Sequence, residues 1–423
     1  MSLDFESTTD WTPTDWSTIG EDSLDDAITL RRAIHADPEV GLQCPRTSDK
    51  VKTALAGLPL EIREGTSTTG FVAILRGGRG GTAGGNGRTV LLRGDMDALP
   101  MQEETGLPFA SKIDGAMHAC GHDSHTAMLV GAAKALCARR DELPGTVVFM
   151  FQPGEEGYHG ARFMLDDGLL GGENSGREND PLPDAAFALH IMPNARHGVI
   201  AGKSGALLAA ADQFEITVHG RGGHASMPHH TLDPVPAACA IVTALQAMVT
   251  RRFNAADAVV VTVTRLDAGT AHNVIPNHAT LRGTVRTLSR EHRQLVQRLM
   301  RETADGIAAA HGVSAGVEIT EGFPVTLCDD RAVSLGRAVT QDVLGAESWK
   351  DLPAPIMGAE DFSYVLEQVP GAMFFLGVAP SGENWSQCCG IHSSRMMVDE
   401  SALPRGTAIL AGCATHFLEQ GFA

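Results

Sequence analysis

Short apolar runs alternate with helical stretches from Phe71 to His190, and no other feature constrains the fold of this 423-residue chain as tightly. Strands are expected at Phe71–Arg76, Thr89–Arg93, Gly145–Phe151 and Ala185–His190, with helices at Ser124–Arg140 and Ala161–Asp167. Strands and helices in this order predict a mostly parallel sheet covered on both faces. An amphipathic helix from Leu24 to His35 precedes the series and ends ahead of Pro38, because the residue before a proline avoids the helical region. The glycine-rich run Gly77–Arg88 reads as a flexible hairpin excursion. It is not expected to cradle phosphate, since a strand follows it where a phosphate site needs a helix N-terminus.

A second pattern begins near Leu207. Strand Gln213–His219, helix Asp233–Arg252, strands Ala258–Leu266 and Ala279–Arg286, helix Arg290–His311 and strand Gly316–Glu321 run in the order βαββαβ, the ferredoxin-like split. The chain then resumes with helix Ala332–Val343, a strand at Ala372–Gly377 and a final helix, Ala402–Glu419. The expectation is an α/β catalytic domain in two sequence pieces, residues 1–206 and 324–423, with a smaller domain inserted over 207–323. Length agrees, because 423 residues exceed what one core usually holds.

Composition narrows the function. Hydrophobic residues at 43% and charged residues at 20% provide for packed cores and exclude disorder for most of the chain. A net charge of −18 disfavours nucleic acid and anionic membrane surfaces, which both call for clustered Lys and Arg. The polar stretch Met1–Ser23 lacks the basic and apolar segments of a secretory signal, and no later stretch is expected to reach membrane-spanning length. A cytoplasmic protein is therefore expected. Eight irregularly spaced cysteines are unlike a disulfide framework, and most read as buried thiols.

Chemistry concentrates in five short clusters, each where a strand ends or a helix begins: Asp95 with Asp97, Cys120-Gly121-His122, Glu155-Glu156, His190 and His392. In open parallel sheets ligands bind at the carboxyl ends of the strands, so loops distant in sequence can converge there. Thiolate and imidazole both suit a borderline-soft metal ion, with glycine allowing the tight bend between them. Alone, the Cys-Gly-His triplet is equally a buried thiol beside a capping histidine. Adjacent carboxylates at Glu155 and Glu156 repel unless a cation compensates, and they can divide labour, one on metal and one on water. Asp95 and Asp97 can fix the tautomer of a metal-bound histidine, or merely cap a turn.

Taken in order, these clusters resemble the dinuclear metallopeptidase family of aminoacylases, glutamate carboxypeptidases and succinyl-diaminopimelate desuccinylases. The closest resemblance is to its amidohydrolase branch, which hydrolyses hippurate, N-acetyl-amino acids and indole-acetyl-amino-acid conjugates. The likeness runs from about Leu30 to Phe417 through Leu30-Arg31-Arg32-Ala33-Ile34-His35 with Pro38-Glu39, Gly94-Asp95-Met96-Asp97, Met117-His118-Ala119-Cys120-Gly121-His122-Asp123, Gln152-Pro153-Gly154-Glu155-Glu156, Gly223-His224-Ala225-Ser226-Met227-Pro228, Asn273-Val274-Ile275-Pro276, Gly358-Ala359-Glu360-Asp361-Phe362 and Gly390-Ile391-His392.

The resemblance implies metal ligation by Cys120, His122, Glu156, His190 and His392, with Cys120 bridging two divalent ions and Glu155 as general base. Zinc suits the thiolate, whereas imidazole and carboxylate also accept manganese, cobalt or nickel. Asp95 stands where the wider family has a metal-binding histidine, and Cys120 where it has a bridging aspartate. His224 is implied as an oxyanion donor from the inserted domain, and a solvated hairpin histidine is the plainer alternative. Asn273 is a second lid candidate. Arg282 or Arg286, on one strand face, can grip a substrate carboxylate or line a solvated sheet. The implied substrate is a small N-acyl-amino acid, with a dipeptidase or carboxypeptidase activity, or a catalytically silent metal-binding sensor, as alternatives. The implied partner is a second copy of the chain, joined through the inserted domain. A thiol hydrolase with Cys120 attacking and His122 or His125 as base is a further rival.

Overall fold

The computed structural model describes residues 16–79, 87–172, 175–176, 182–380 and 384–422. The acidic stretch ahead of Trp16 and the middle of the Gly77–Arg88 run lie outside the described residues. The chain divides into two compact units, one of Met1–Gly202, Asp329–Leu352 and Gln368–Ala423, the other of Lys203–Cys328 and Pro353–Glu367.

The first unit holds an eight-stranded sheet in the order Glu61–Glu64, Phe71–Arg76, Thr146–Gln152, Thr89–Asp95, Ala185–Met192, Gly371–Gly377, Ile200–Gly202, Trp349–Asp351. Its four central strands, Thr146–Gln152 through Gly371–Gly377, are mutually parallel, while antiparallel pairs flank them. Thr146–Gln152 and Gly371–Gly377 are buried at every position, so the sheet is covered on both faces there. Helix His122–Ala138 is buried almost throughout and packs against Leu24–His35 and Leu403–Gln420. Contact with the last helix needs a glycine at Gly406, where a Cβ would run into the Met128 sulfur.

The structure moves several boundaries. The helix expected from Ser124 starts at His122, and the strands expected to end at Arg93 and His190 run on to Asp95 and Met192. Helices Trp16–Asp22 and Pro45–Ala54 and the short strands Glu61–Glu64, Ile200–Gly202 and Trp349–Asp351 were not anticipated. Elements this short carry too few residues for a hydrophobic period to show.

The second unit contains a four-stranded antiparallel sheet in the order Val259–Ala268, His278–Thr287, Ala210–His219, Ser314–Glu321. This is the βαββαβ split read from the sequence. Burial alternates along Ala210–His219, so Phe214, Ile216 and Val218 join Ile241 and Leu245 of helix Pro234–Arg252 and Leu299 of helix Arg290–Ala310 in one core. Both helices start on side-chain caps, Asp233 accepting from the Val235 N–H and Ser289 from the His292 N–H. One expectation needs correcting here: helix Pro234–Arg252 is long and apolar enough to cross a membrane by length and composition. Its apolar side is instead taken up by the core of this sheet.

Candidate metal centre

The sequence builds the centre from the loop that opens helix His122–Ala138. Gly121 sits at φ +89°, a left-handed conformation, and a Cβ there would run into the Ile191 side chain. This bend places Cys120 and His122, both buried, on either side of it. Cys120 Sγ lies 3.3 Å from Nε2 of His190, at the C-terminal end of the neighbouring strand, whose Nδ1 donates to the Ile191 carbonyl at 2.6 Å. The His392 N–H donates to the Ala119 carbonyl at 2.7 Å, tying a loop from the far end of the chain beside Cys120, and His392 itself has φ +64°.

Donor atoms within 4.8 Å of one another include the sets Cys120 with His122 and His190, Cys120 with Glu156 and His392, His122 with Glu155 and Glu156, and Asp95 with His122 and His125. All five ligands expected from the sequence are therefore gathered in the first unit, and Cys120 is common to two sets. Both ring nitrogens of His122 are buried without a well-formed hydrogen bond. Such orphaned polar atoms amid carboxylates, imidazoles and a thiol fit a divalent cation.

Asp97 faces His122 and holds the turn of the two acids. Its Oδ1 lies 3.4 Å from Nδ1 of His122. Its two oxygens also accept from the N–H groups of Glu155 and Glu156 at 3.0 and 3.1 Å, fixing the turn that carries both acids. Asp95 is buried further back, accepting from Arg93 Nη1 at 2.6 Å and from His125 Nδ1 at 2.6 Å. Burial opposes its charge, but Arg93, His122 and His125 outweigh that and hold the carboxyl well below the usual range.

Other charges follow the same balance. Burial lowers His122, yet Asp95 and Cys120 overcome it and raise the imidazole well above its ordinary value. In the metal-free chain the Cys120 and Glu156 hydrogen bonds push His392 up to about 10. Burial pushes the Cys120 thiol up, the reverse of what activates a cysteine nucleophile. His125 cannot serve as base to it, because Asp95 and the Ile191 N–H engage both its nitrogens. Both points weigh against a thiol hydrolase with His125 as base.

Sequence reading missed what lies behind His122. Asp123 is fully buried, 2.8 Å from Arg31 Nε and 2.7 Å from His35 Nδ1, with Glu103 3.2 Å from the other side of His35. The signal was present in Leu30-Arg31-Arg32-Ala33-Ile34-His35, where Arg31 and His35 stand one helical turn apart on a buried face.

The inserted-domain candidates lie in the second unit. His224 pairs with Val274 in a two-stranded ribbon, and the Ala225 N–H donates to the Asn273 carbonyl at 3.0 Å, so His224 and Asn273 are neighbours. Nδ1 of His224 accepts from the Ser226 N–H at 3.1 Å, which leaves the ring proton on Nε2. Arg282 is bound to Glu215 at 2.6 Å, whereas Arg286 forms no ion pair among the described residues.

A sheet parallel at its centre, with thiol, imidazole and carboxylate donors gathered beyond its strand ends, defines an α/β protein with a candidate divalent-metal centre. The chain belongs to peptidase family M20/M25/M40, whose model matches residues 91–416. It is 39% identical over 394 residues to an N-acetylcysteine deacetylase of Bacillus subtilis, covering 93% of this chain and 97% of that protein. It is 38% identical over 397 residues to the IAA-amino acid hydrolase ILR1-like 2 of Arabidopsis thaliana, covering 93% of this chain and 85% of the relative. The solved YXEP protein of Bacillus subtilis, a dinuclear metal binding peptidase from the M20 family, superposes with a TM-score of 0.80 at 35% identity, covering 95% of this chain and 99% of that one. The protein is thus a metallo-hydrolase acting on amide bonds of small molecules, with divalent metal as its cofactor.

Proposed function

We propose that this chain hydrolyses the amide bond of N-acyl-amino acids, holding one divalent ion at Cys120, His122 and His190 and a second at Cys120, Glu156 and His392. The membership of Cys120 in both donor sets carries this reading. The names of the relatives support the substrate class, since one deacetylates N-acetylcysteine and another hydrolyses IAA-amino acids. Zinc is the preferred ion because a buried thiolate is shared, with manganese, cobalt or nickel as substitutes.

When bound, the ions polarise the amide carbonyl and make water more acidic. Glu155, 6% exposed and fixed at its backbone by Asp97, takes the proton of the attacking water and returns it to the departing amine. Asp97 positions both acids and faces His122. His224 donates its Nε2 proton to the carbonyl oxygen as charge develops, and Asn273 assists from the same ribbon. Arg286, free of a carboxylate partner within its unit, grips the substrate carboxylate.

The catalytic domain comprises residues 1–206 and 324–423 apart from Pro353–Glu367, which groups with the segment 207–323 as lid and dimerisation domain. The edge strand Val259–Ala268, with Val260 and Leu266 exposed, supports pairing of two copies. All eight cysteines are free thiols, in keeping with a reducing cytoplasm. The test is an assay of zinc-, manganese-, cobalt- and nickel-loaded protein on hippurate, N-acetyl-amino acids, acyl-diaminopimelate, indole-acetyl conjugates and dipeptides. Cleavage of acyl-amino acids, abolished by chelator, is expected. Turnover confined to dipeptides, or none at all, would defeat the reading.

A further inference from the structure

We propose that His125 is a positioning residue that presents His190 to the metal centre through Ile191, and that it thereby controls uptake of one ion but not the other. For its metal readout the proposal rests on the two-ion reading above. Its geometry stands independently.

His125 lies one turn into helix His122–Ala138 and is 2% exposed. The Ile191 N–H donates to its Nε2 at 2.8 Å. A backbone N–H only donates, so Nε2 is the acceptor and the ring proton resides on Nδ1, which donates to Asp95 Oδ1 at 2.6 Å. Arg93 Nη1, 2.6 Å from the other Asp95 oxygen, anchors that carboxylate. Pairing of strand Ala185–Met192 with Thr89–Asp95 stops at Ala188, so at Ile191 the imidazole takes an N–H that this neighbouring strand no longer reaches.

The carbonyl of the same Ile191 accepts from Nδ1 of His190 at 2.6 Å. A carbonyl only accepts, so His190 carries its proton on Nδ1 and exposes the Nε2 lone pair toward Cys120 Sγ, 3.3 Å away. The two rings also lie against each other, centroids 4.6 Å apart at 59°. One residue thus has its N–H held by His125 and its C=O held by His190. Ligating geometry at His190 depends on Ile191 staying in place, and the chain Arg93–Asp95–His125 keeps it there. The donor set Cys120, Glu156 and His392 includes none of these groups.

Two readouts test this. In the metal-free protein, long-range ¹H–¹⁵N spectra of the histidine side chains are expected to show His190 as the Nδ1–H tautomer, and His125→Leu to lose that fixed form. In equilibrium dialysis against zinc, His125→Leu is expected to keep one tight equivalent and to bind the second about 10- to 100-fold more weakly. His125→Gln, whose amide can accept from Ile191 and donate to Asp95, should restore both. Asp95→Asn frees His125 to change tautomer and should give the same two changes in smaller size, which covers a His125→Leu chain that does not fold. An unchanged His190 tautomer with both equivalents at wild-type affinity would overturn the proposal, as would equal weakening of both equivalents without rescue by Gln. Wild-type protein that takes up one zinc would defeat the two-ion reading instead, and the tautomer measurement would still decide the role of His125.

Discussion

Cys120 Sγ and His190 Nε2 lie 3.3 Å apart although 70 positions separate them in the chain. The contact brings a helix-opening loop against the end of a parallel strand, and the thiol belongs both to the set with His122 and His190 and to the set with Glu156 and His392. Replacing that sulfur by a hard oxygen donor should move metal preference. Cys120→Asp is expected to lower the affinity for zinc relative to manganese, read from competition binding of the two ions.

Glu155 is assigned to the proton and Glu156 to the metal. Glu155→Gln should therefore retain its metal content while kcat falls about 100- to 10,000-fold. Metal analysis and kcat measured on the same preparation check this, and turnover within a few-fold of wild type would remove Glu155 from the mechanism.

Gly121→Ala places a side chain in a left-handed conformation, φ +89°, and drives its Cβ into Ile191. A loss of about 2 kcal/mol or more in urea unfolding is expected. A neutral effect would mean that the loop around Cys120 is looser than drawn.

Acid should unfold this chain through the network behind His122. Against the opposing effect of burial, Arg31 and His35 hold Asp123 well below the usual carboxylate range, and His35, Thr105 and the Ser111 N–H take Glu103 down to about 2. Folded values below unfolded ones give stability that is complete above about pH 5 and lost as pH falls through the carboxylate range. His35 works in the opposite sense: despite burial, Asp123 and Glu103 raise it, so its contribution is full below about pH 6 and fades as pH rises through its folded value. Urea midpoints from pH 3 to 8 should show a fall on the acid side that is shallower in Asp123→Asn.

Much of this was legible in the sequence for a physical reason. Long apolar elements such as Thr146–Gln152 and the alternation along Ala210–His219 carry a period strong enough to read, and the clusters at their ends come with glycines such as Gly121 that only tight bends require. Short edge elements such as Trp349–Asp351 are set by pairing rather than pattern, and they stayed invisible. Partner choice was equally hidden. Nothing local distinguishes Arg282, bound to Glu215, from Arg286, and nothing near Asp123 announces Arg31, since such pairs are decided by register and by helix packing. Asp97 faces His122 and also holds the Glu155 turn, because a helix start and the turn after a strand approach it from different sides.

The most direct measurement is hydrolysis of an N-acetyl-amino acid by metal-stripped protein reloaded stepwise with zinc, run beside Cys120→Ala. The account predicts no turnover without metal, full activity only as the second equivalent is taken up, and neither tight equivalent nor activity in Cys120→Ala. Full activity in stripped protein, or with Cys120 removed, would contradict it.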